Sequence, residues 1–301
     1  MKISVVIVTY NSCDSIGPCL DSVLAQESDL LDGIIVVDNG SFDSTLELLK
    51  ARYPQVRVIP NDHNAGPAQA RNQGIRHAQG EWILCLDSDA RLKDNFFLSF
   101  DQFLKRPGET DDAGIVVPKI YYDDAKTIYS VGNRLTPLRR FYDVGRGDKD
   151  RGQFDGPREV FGACSAVAFY RRRMLLELKD RDGFFFDQDF FFMAEDVDLA
   201  WRARQKGWKV YFCPACIGYH AGNGSRTTDA QKNYYSIRNR FVMVFKNDRR
   251  GRIVLFLFPL LAYEIFRSLF LLIKGKGKLY AAACASAAEI IRKKTTIRRV
   301  P

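Results

Sequence analysis

The sequence has few residues of the kinds that build a zinc site or a disulfide framework. Only three histidines occur in 301 residues, and the seven cysteines are odd in number and scattered. Cys213 and Cys216 form a Cys-x-x-Cys motif, but no second pair and no nearby His-x-x-x-His completes a zinc site. Because no signal peptide precedes the first predicted strand, we expect reduced thiols and a cytoplasmic protein.

A glycine-rich phosphate loop is also absent. The first predicted strand, residues 2–8, is followed by Thr-Tyr-Asn-Ser-Cys-Asp, which contains no Gly-x-Gly-x-x-Gly. Without those glycines a dinucleotide pyrophosphate cannot approach the next helix, which disfavours an NAD-dependent enzyme. A nucleotidyltransferase is disfavoured as well, because it would need a glycine-rich loop bearing Lys or Arg at this place.

The net charge of +9 is not spread along the chain. Residues 246–301 contain thirteen Lys or Arg and three Asp or Glu, so the remainder of the chain is close to neutral. The basic excess therefore indicates what kind of surface the C-terminal tail contacts, and it indicates nothing about the function of the remainder of the chain. No platform of interleaved aromatic and basic residues occurs, so nucleic acid is not an expected partner.

Strands alternate with helices of about ten residues through the first part of the sequence, which predicts right-handed βαβ units, a parallel sheet and an α/β fold. The predicted strands are residues 2–8, 33–37, 56–59, 82–86, 114–118, 161–170 and 208–212. Residues 121–157 are polar and glycine-rich and are predicted to form hairpins or mobile loops over a site.

The stretch Leu-Cys-Leu-Asp-Ser-Asp-Ala at residues 84–90 delivers two carboxylates to the end of a buried strand. Ligands bind at such strand ends in open α/β sheets. Asp87 and Asp89 are hard oxygen ligands that suit a divalent cation, Mn²⁺ or Mg²⁺, which in turn holds a diphosphate. The alternative is a turn that caps a helix beginning near Asp94.

Two further strand ends carry polar residues. Tyr10 can stack against a nucleoside base, and Asp38 can accept hydrogen bonds from a base or ribose. Ordinary capping turns explain either loop equally well. His220 lies in a glycine-flanked turn, where it is either an additional metal ligand that favours Mn²⁺ or a histidine satisfied by backbone groups.

An aromatic run at residues 184–194 leads directly into Glu195 and Asp196. A carboxylate beside such an apolar wall has a raised affinity for protons, which suits a general base. Asp198 follows in the first helical turn, where acidic residues are usual and need no catalytic explanation.

Five motifs occur in the order found in family 2 glycosyltransferases with the GT-A fold, which residues 1–245 therefore resemble. These motifs are 9–11, 37–41, 64–72, 87–89 and 195–198. A sixth stretch, Tyr-Tyr-Ser-Ile-Arg-Asn-Arg at 234–240, is similar to the bacterial rhamnosyltransferase-like branch. Its Arg238 and Arg240 are expected either to neutralise phosphate or to face water.

The resemblance implies a Rossmann-like mixed sheet and an inverting transferase that uses a nucleoside-diphosphate sugar, dTDP- or UDP-linked. Asp196 would be the catalytic base, with Glu195 beside it, and Asp89, Asp87 and His220 would bind the cation. The residues that would hold the nucleotide sugar are Thr9, Tyr10, Asn11, Asp38, Asn39, Arg71, Asp87, Ser88 and Asp89. The expected acceptor is a polysaccharide or a lipid-linked glycan of the cell envelope; a non-catalytic sugar- or lipid-binding scaffold is the alternative.

Residues 246–301 are predicted to form a separate helical tail, with helices at about 252–274 and 278–294. Residues 253–273 are long and apolar enough to span a bilayer, but Glu264, Arg267 and Pro259 disfavour insertion. We therefore expect these helices to lie on an anionic membrane surface at the inner face of the cell membrane, or else to form a homodimer interface. The flanking basic residues are Lys274, Lys276, Lys278, the cluster 292–294, Arg298 and Arg299.

Overall fold

A computed structural model describes residues 1–106, 108, 110–180, 182–222, 227–248 and 257–299. The strands are β1 (Ile3–Thr9), β2 (Leu31–Asp38), β3 (Arg57–Pro60), β4 (Trp82–Asp87), β5 (Ala90–Leu92), β6 (Ala113–Tyr121), β7 (Ile128–Ser130), β8 (Asn133–Leu135), β9 (Phe141–Asp143), β10 (Arg158–Glu159), β11 (Val167–Arg171) and β12 (Lys209–His220). The helices are α1 (Ile16–Leu24), α2 (Thr45–Arg52), α3 (Pro67–His77), α4 (Phe96–Leu104), α5 (Arg172–Leu178), α6 (Glu195–Gln205), α7 (Asp229–Asn247), α8 (Leu257–Ile273) and α9 (Gly277–Arg299).

The main sheet is mixed, with the order β10-β12-β6-β11-β4-β1-β2-β3. β1 pairs in parallel with β2 and β4, as the alternating pattern predicted. β11 lies between β4 and β6 and is antiparallel to both, so the sheet is mixed, as the resemblance to the GT-A fold implied, and the parallel pairing indicated by the alternation of strands and helices holds for β1 to β4. β11 begins at Val167 and not at the predicted 161, and β12 continues past the predicted 212 to His220.

Both faces of the sheet are buried, which explains the uninterrupted apolar strands. In β1 the side chains of Val5 and Ile7 pack into the core on the side of α1, α2 and α4. Val6 points the other way, into the core beneath α3, α5 and α6. The loops at the carboxyl end of this doubly covered sheet are therefore held by helices on both sides.

The C-terminal helices pack on the remainder of the protein. Val242 and Met243 of α7 form a small core with Trp201 of α6, and Ala287 of α9 completes it. Within α8, Glu264 forms an ion pair with Arg240 of α7. The predicted tail helices are thus present, although the predicted start at 252 lies outside the described residues.

The exposed face of α8 is apolar. Phe258, Phe266, Phe270 and Ile273 are each at least 59% exposed. Nevertheless, in the part of the chain that the structure describes, no helix combines the length and the apolarity required to cross a bilayer.

Candidate active site

A cleft of about 670 Å³ opens at the carboxyl ends of β1 and β4. Its walls also include the loop before α6 and the end of β12. The residues predicted for the site that line this cleft are Thr9, Tyr10, Asn11, Asn39, Arg71, Asp87, Ser88, Asp89, Glu195, Asp196 and His220. The structure thus brings together side chains that are up to about two hundred residues apart in the sequence.

Asp38 is the predicted site residue that does not line the cleft. It is fully buried, and its carboxylate accepts hydrogen bonds from the backbone N–H of Ser41 at 3.0 Å and from the Ser41 hydroxyl at 2.5 Å. The Asn11 side chain accepts from the backbone N–H of Phe42 at 2.9 Å, which ties this turn to the one after β1. Phe42 is 77% exposed and meets the ring of Tyr10 edge-on, an aromatic pair that sequence reasoning missed.

The N-terminal part of α3 is fixed by close backbone packing. Gly66 has a φ of +84°, and a Cβ added there would lie 2.7 Å from the carbonyl oxygen of Phe191. Pro67, with its preset φ, begins the helix. Two turns further along α3, a Cβ on Gly74 would lie 2.3 Å from a methyl of Val6. These two glycines let α3 lie against the sheet and set the position of its side chains in the cleft.

Arg71 of α3 bridges two carboxylates. Its guanidinium donates to Asp87 Oδ1 and to Glu195 Oε1, each at 2.8 Å, and the residue is only 4% exposed. Burial alone would raise the pKa of Asp87, but Arg71 and His220 outweigh burial and lower it. For Glu195 burial prevails over the attraction of Arg71, so the pKa is raised. Arg71 therefore couples the β4 loop to the start of α6.

Asp87, Asp89 and His220 form a candidate metal centre. Their ligand atoms lie within 4.8 Å of one another. His220 Nε2 is 3.1 Å from Asp89 Oδ1 and 3.6 Å from Asp87 Oδ2. Although these two carboxylates raise the pKa of His220 to about 9 against the effect of burial, Nε2 has no hydrogen-bond partner of proper geometry.

A divalent cation fits this group of residues. A buried ring nitrogen without a partner faces two carboxylates, and a mixed oxygen and imidazole donor set suits Mn²⁺, while Mg²⁺ prefers oxygen. Without a cation the second interpretation of His220 holds, since Nδ1 accepts a hydrogen bond from the backbone N–H of Gly222 at 2.8 Å and Nε2 therefore carries the ring proton, which a cation bound there would replace. This bond fixes the ring so that Nε2 points toward the carboxylates.

The sheet register explains how His220 reaches the aspartates. β5 follows the acidic loop and pairs antiparallel with the end of β12, so that His220 lies opposite Ala90. The alternative interpretation of this loop as a helix-capping turn is wrong. A strand follows the loop, and α4 begins after Asn95, which makes no side-chain capping bond.

Asp196 is the candidate general base. Its Oδ1 accepts from the backbone N–H of Val197 at 2.7 Å and its Oδ2 from that of Ser165 at 3.3 Å. Burial, followed by the negative charges of Glu195 and Asp143, raises the pKa of Asp196 to about 7. This direction agrees with the raised proton affinity expected of a carboxylate beside the aromatic run, and such a carboxylate can exchange a proton near neutral pH. Its role as the base stays a prediction.

Several cleft residues come from the region that the sequence left unordered. β8 and β9 form a hairpin there, and Asp143 at its end lines the cleft. Arg146 pairs with Asp143 and lies 4.1 Å above the ring of Tyr129, which in turn contacts the ring of His220. The only sequence signal was the polar and glycine-rich composition, which predicts loops over a site without indicating which side chains face it.

The two arginines of the 234–240 motif do neither of the things expected of them. Arg238 is buried and donates to the carbonyl oxygens of Asp189 and Phe190, each at 2.7 Å. Arg240 is buried against Glu264. Both therefore contact protein groups, and neither faces water or lines the cleft.

Asp198 has a larger role than that of a residue in an acidic first turn. It is fully buried, and it accepts from Arg202 at 2.9 Å, from Lys246 at 2.8 Å and from Asn247 at 2.7 Å. Burial would raise the pKa of Asp198, but Lys246 and Arg202 outweigh it and lower the value. This carboxylate joins the start of α6 to the end of α7.

Comparisons with known proteins show to which family this chain belongs. A family model for glycosyl transferase family 2 matches residues 4–179, which is more than half of the chain. The succinoglycan biosynthesis protein ExoO of Rhizobium meliloti (strain 1021) is 46% identical over 92 residues, which cover 30% of this chain and 26% of that protein. The poly(ribitol-phosphate) beta-glucosyltransferase of Bacillus spizizenii is 44% identical over 110 residues, or 35% of this chain and 17% of that protein.

The matched stretch thus spans about a quarter or less of the length of these two relatives. Among solved structures, the mannosyltransferase PcManGT from Pyrobaculum calidifontis, in complex with GDP-Man and Mn²⁺, superimposes with a TM-score of 0.56. The superposition covers 98% of this chain and 80% of that chain at 18% identity, and at that identity it shows the fold. The chain belongs to glycosyl transferase family 2, and its fold is the GT-A fold.

Proposed function

We propose that this protein is an inverting glycosyltransferase. It moves a sugar from a nucleoside-diphosphate donor to a hydroxyl of a polysaccharide or lipid-linked acceptor in cell-envelope glycan synthesis. The observation that carries the proposal is a single cleft that holds the Asp87–Asp89–His220 group at one point and Asp196 at another. Arg71 bridges Asp87 of that group to Glu195, the neighbour of Asp196.

The donor half of the cleft has the chemistry that a nucleotide sugar requires. Tyr10 and Phe42 offer aromatic surface for a base, and Asn11 and Asn39 offer amides at the same edge. The solved mannosyltransferase with a similar fold binds GDP-Man and Mn²⁺. A divalent cation held by Asp87, Asp89 and His220 would offset the negative charge of the departing diphosphate.

In the proposed reaction Asp196 takes the proton of the acceptor hydroxyl at a carboxylate oxygen. The hydroxyl oxygen forms a bond to the anomeric carbon on the face opposite the diphosphate. The bond between the anomeric carbon and the diphosphate oxygen breaks, and the diphosphate leaves with the bonding electrons. Attack from the opposite face inverts the anomeric configuration, and the raised proton affinity of Asp196 supports its role as the base.

The narrower proposal of rhamnose from a dTDP- or UDP-linked donor has a single support, the motif at 234–240, of which Tyr235 lines the cleft. A panel of dTDP-, UDP- and GDP-sugars assayed for release of the nucleoside diphosphate separates these donors. Turnover of dTDP-rhamnose well above that of the other donors would support it, and a preference for a hexose linked to another nucleotide would contradict it.

Donor binding is expected to depend on the cation. Addition of Mn²⁺ together with a nucleotide sugar should raise the melting temperature, because a ligand at one hundred times its Kd stabilises the folded state by about 2.7 kcal/mol. Asp89→Asn should remove the Mn²⁺-dependent part of this rise, since it deletes a charged ligand. Differential scanning fluorimetry with and without Mn²⁺ measures both effects.

Asp94→Asn is the matched control, because Asp94 is exposed, lies five residues away and does not line the cleft. It should respond to Mn²⁺ and donor as the unaltered protein does. Failure of every nucleotide sugar to produce a Mn²⁺-dependent shift in the unaltered protein would contradict the proposed function.

We also propose that the exposed face of α8 lies on an anionic membrane surface at the cytoplasmic side. Phe266 and Phe270 are 73% and 59% exposed on that face, and Lys274, Lys276 and Lys278 are next to it. This combination suits an interfacial helix, since the apolar side chains enter the boundary of the acyl chains while the cations meet lipid phosphates. The ion pair of Glu264 with Arg240 keeps one side of α8 against the protein.

Sedimentation with phosphatidylglycerol vesicles tests this surface. The protein should bind them at least ten times more tightly than phosphatidylcholine vesicles at low salt, and Phe266→Asp should remove most of that binding. Leu176→Asp, an equally drastic change at a residue that is 46% exposed on α5, should leave binding unchanged. Absence of vesicle binding together with a dimer in light scattering would assign the face to a second copy of the chain.

A further inference from the structure

The segment that leads to the candidate base has an unusual backbone. Residues 187–194, which we call the catalytic loop, end where α6 begins with Glu195 and Asp196. Phe191, Met193 and Ala194 have φ values of +57°, +68° and +71°. Residues other than glycine adopt this left-handed region at an energetic cost, so the surrounding structure has to hold them there.

Two side chains of α7 hold the catalytic loop by donating hydrogen bonds to the carbonyl groups of the loop. The Asn239 amide lies within 2.9 Å of the carbonyl oxygens of Phe190, Phe192 and Met193, to which it donates. The Arg238 guanidinium donates to the same Phe190 carbonyl at 2.7 Å. Asn239 is fully buried and Arg238 is 8% exposed, so water does not compete for these bonds.

The C-terminal helix α9 reaches the same loop. Lys294 Nζ lies 2.9 Å from Asp187 Oδ2 and 2.6 Å from Asp189 Oδ2, across 107 residues of sequence in the first case. Lys246 of α7 approaches the same Asp187 oxygen at 2.8 Å. Burial raises the pKa of Asp187, but the two ammonium groups outweigh burial and lower it, which keeps the carboxylate charged. Lys294 therefore points into the protein, and not toward a membrane as the cluster 292–294 predicted.

We propose that α9 is part of the active-site architecture, and that Lys294 is a positioning residue that holds the catalytic loop in the conformation which turns Asp196 into the cleft. Without Lys294, Asp187 keeps Lys246 but loses its second ammonium partner, Asp189 loses its ion pair with Lys294, and the left-handed residues can relax. The orientation of Asp196 changes, while the donor subsite at the ends of β1 and β4 is unaffected. This inference rests on the proposed function for its catalytic consequence.

Kinetics of Lys294→Ala against Lys293→Ala test the proposal. Lys293 is the neighbouring residue of α9, and within the described part of the chain its ion-pair partner is exposed Glu289 at 2.8 Å. Without vesicles present, Lys294→Ala should lower kcat at least tenfold and leave the KM for the donor within twofold, whereas Lys293→Ala should leave both unchanged. Lys294→Arg should restore at least half of the lost kcat, because it returns a cation of similar reach. If the loss of this contact only reduced global stability, the melting temperature would fall, but kcat would not fall tenfold at an unchanged KM for the donor.

Hydrogen exchange provides a second readout that needs no turnover. Backbone amides of residues 188–194 should exchange at least ten times faster in Lys294→Ala than in Lys293→Ala, while those of β1 and β4 keep their protection. Lys294→Gln, which preserves the length of the side chain, replaces Lys294→Ala if the latter does not fold. Loop amides as protected as in the control, or an unchanged kcat, would overturn the proposal. If the unaltered protein turns over no nucleotide sugar, the proposed function fails separately and the exchange rates alone decide this inference.

Discussion

Asp196→Asn is expected to lower kcat for sugar transfer by about 100- to 10,000-fold, the usual contribution of a general base. The amide has nearly the same shape as the carboxylate but cannot take the proton of the acceptor hydroxyl. Because Asp196 is not one of the residues of the candidate metal centre, affinity for the donor and Mn²⁺ should stay within about twofold. Initial rates of transfer and calorimetric titration with the donor measure the two quantities separately.

The pH dependence of the unaltered enzyme checks the same residue. A base works only when deprotonated, so with a pKa of about 7 for Asp196 activity should rise with pH through that value and level off above it. At pH 6 about a tenth of the carboxylate is ionised, and kcat should fall accordingly. Asp62→Asn, at an exposed aspartate, is the control and should retain the full rate and the same profile. More than a tenth of the unaltered activity in Asp196→Asn would exclude Asp196 as the base.

Arg71→Met is expected to destabilise the fold by about 3–5 kcal/mol, because it leaves two carboxylates next to each other without their shared cation. Glu195 is buried, with its side chain 7% exposed, and cannot turn to water. Protonation relieves the cost, since the pKa of Glu195, which burial already raises, would rise further without the attraction of Arg71. The stability that protonation restores is present at low pH and disappears as pH rises. The variant should therefore be destabilised, relative to the unaltered protein, by more at pH 8 than at pH 5.

Urea unfolding of Arg71→Met and Arg76→Met at both pH values measures this effect. Arg76 lies on the same helix and is exposed, and among the described residues it donates to the carbonyl of Gly183 at 3.4 Å and lies over the ring of Phe184. Its replacement should change the free energy of unfolding by about 0.5 kcal/mol or less. An equal loss in the two variants would show that the Arg71 bridge contributes no special stability.

The convergence of the residues of the proposed donor subsite could be predicted because these residues follow strands. Apolar runs mark β1, β2 and β4, and parallel strands end at one edge of a sheet, so Tyr10, Asn39 and Asp87 had to lie near one another. The acidic pair at the start of α6 could also be predicted, since the aromatic run preceding it indicated a buried carboxylate. Both inferences need only the local sequence and one rule about sheets.

The remaining features depend on contacts between distant segments, which no local pattern encodes. β11 is antiparallel because of how the chain returns between β4 and β6, and its sequence resembles that of any other buried strand. β5 has three residues, and it brings His220 next to the acidic loop only because it pairs with β12. The burial of Arg238 and Arg240 could not be foreseen, because their partners are carbonyl groups and a glutamate of other segments.

Arg71 and Glu195, which form one half of the Arg71 bridge, are 124 positions apart in the sequence. A fragment of the chain that ends between them therefore lacks this contact. The stretch that the family model recognises ends at residue 179, before Glu195, Asp196 and His220. An excised fragment of that length, or a hybrid that joins it to an unrelated C-terminal part, would carry the proposed donor subsite but would lack the proposed base Asp196 and the imidazole of His220. If the proposed roles hold, such a fragment should be inactive in sugar transfer, because the cleft is completed by residues beyond the stretch that the family model matches.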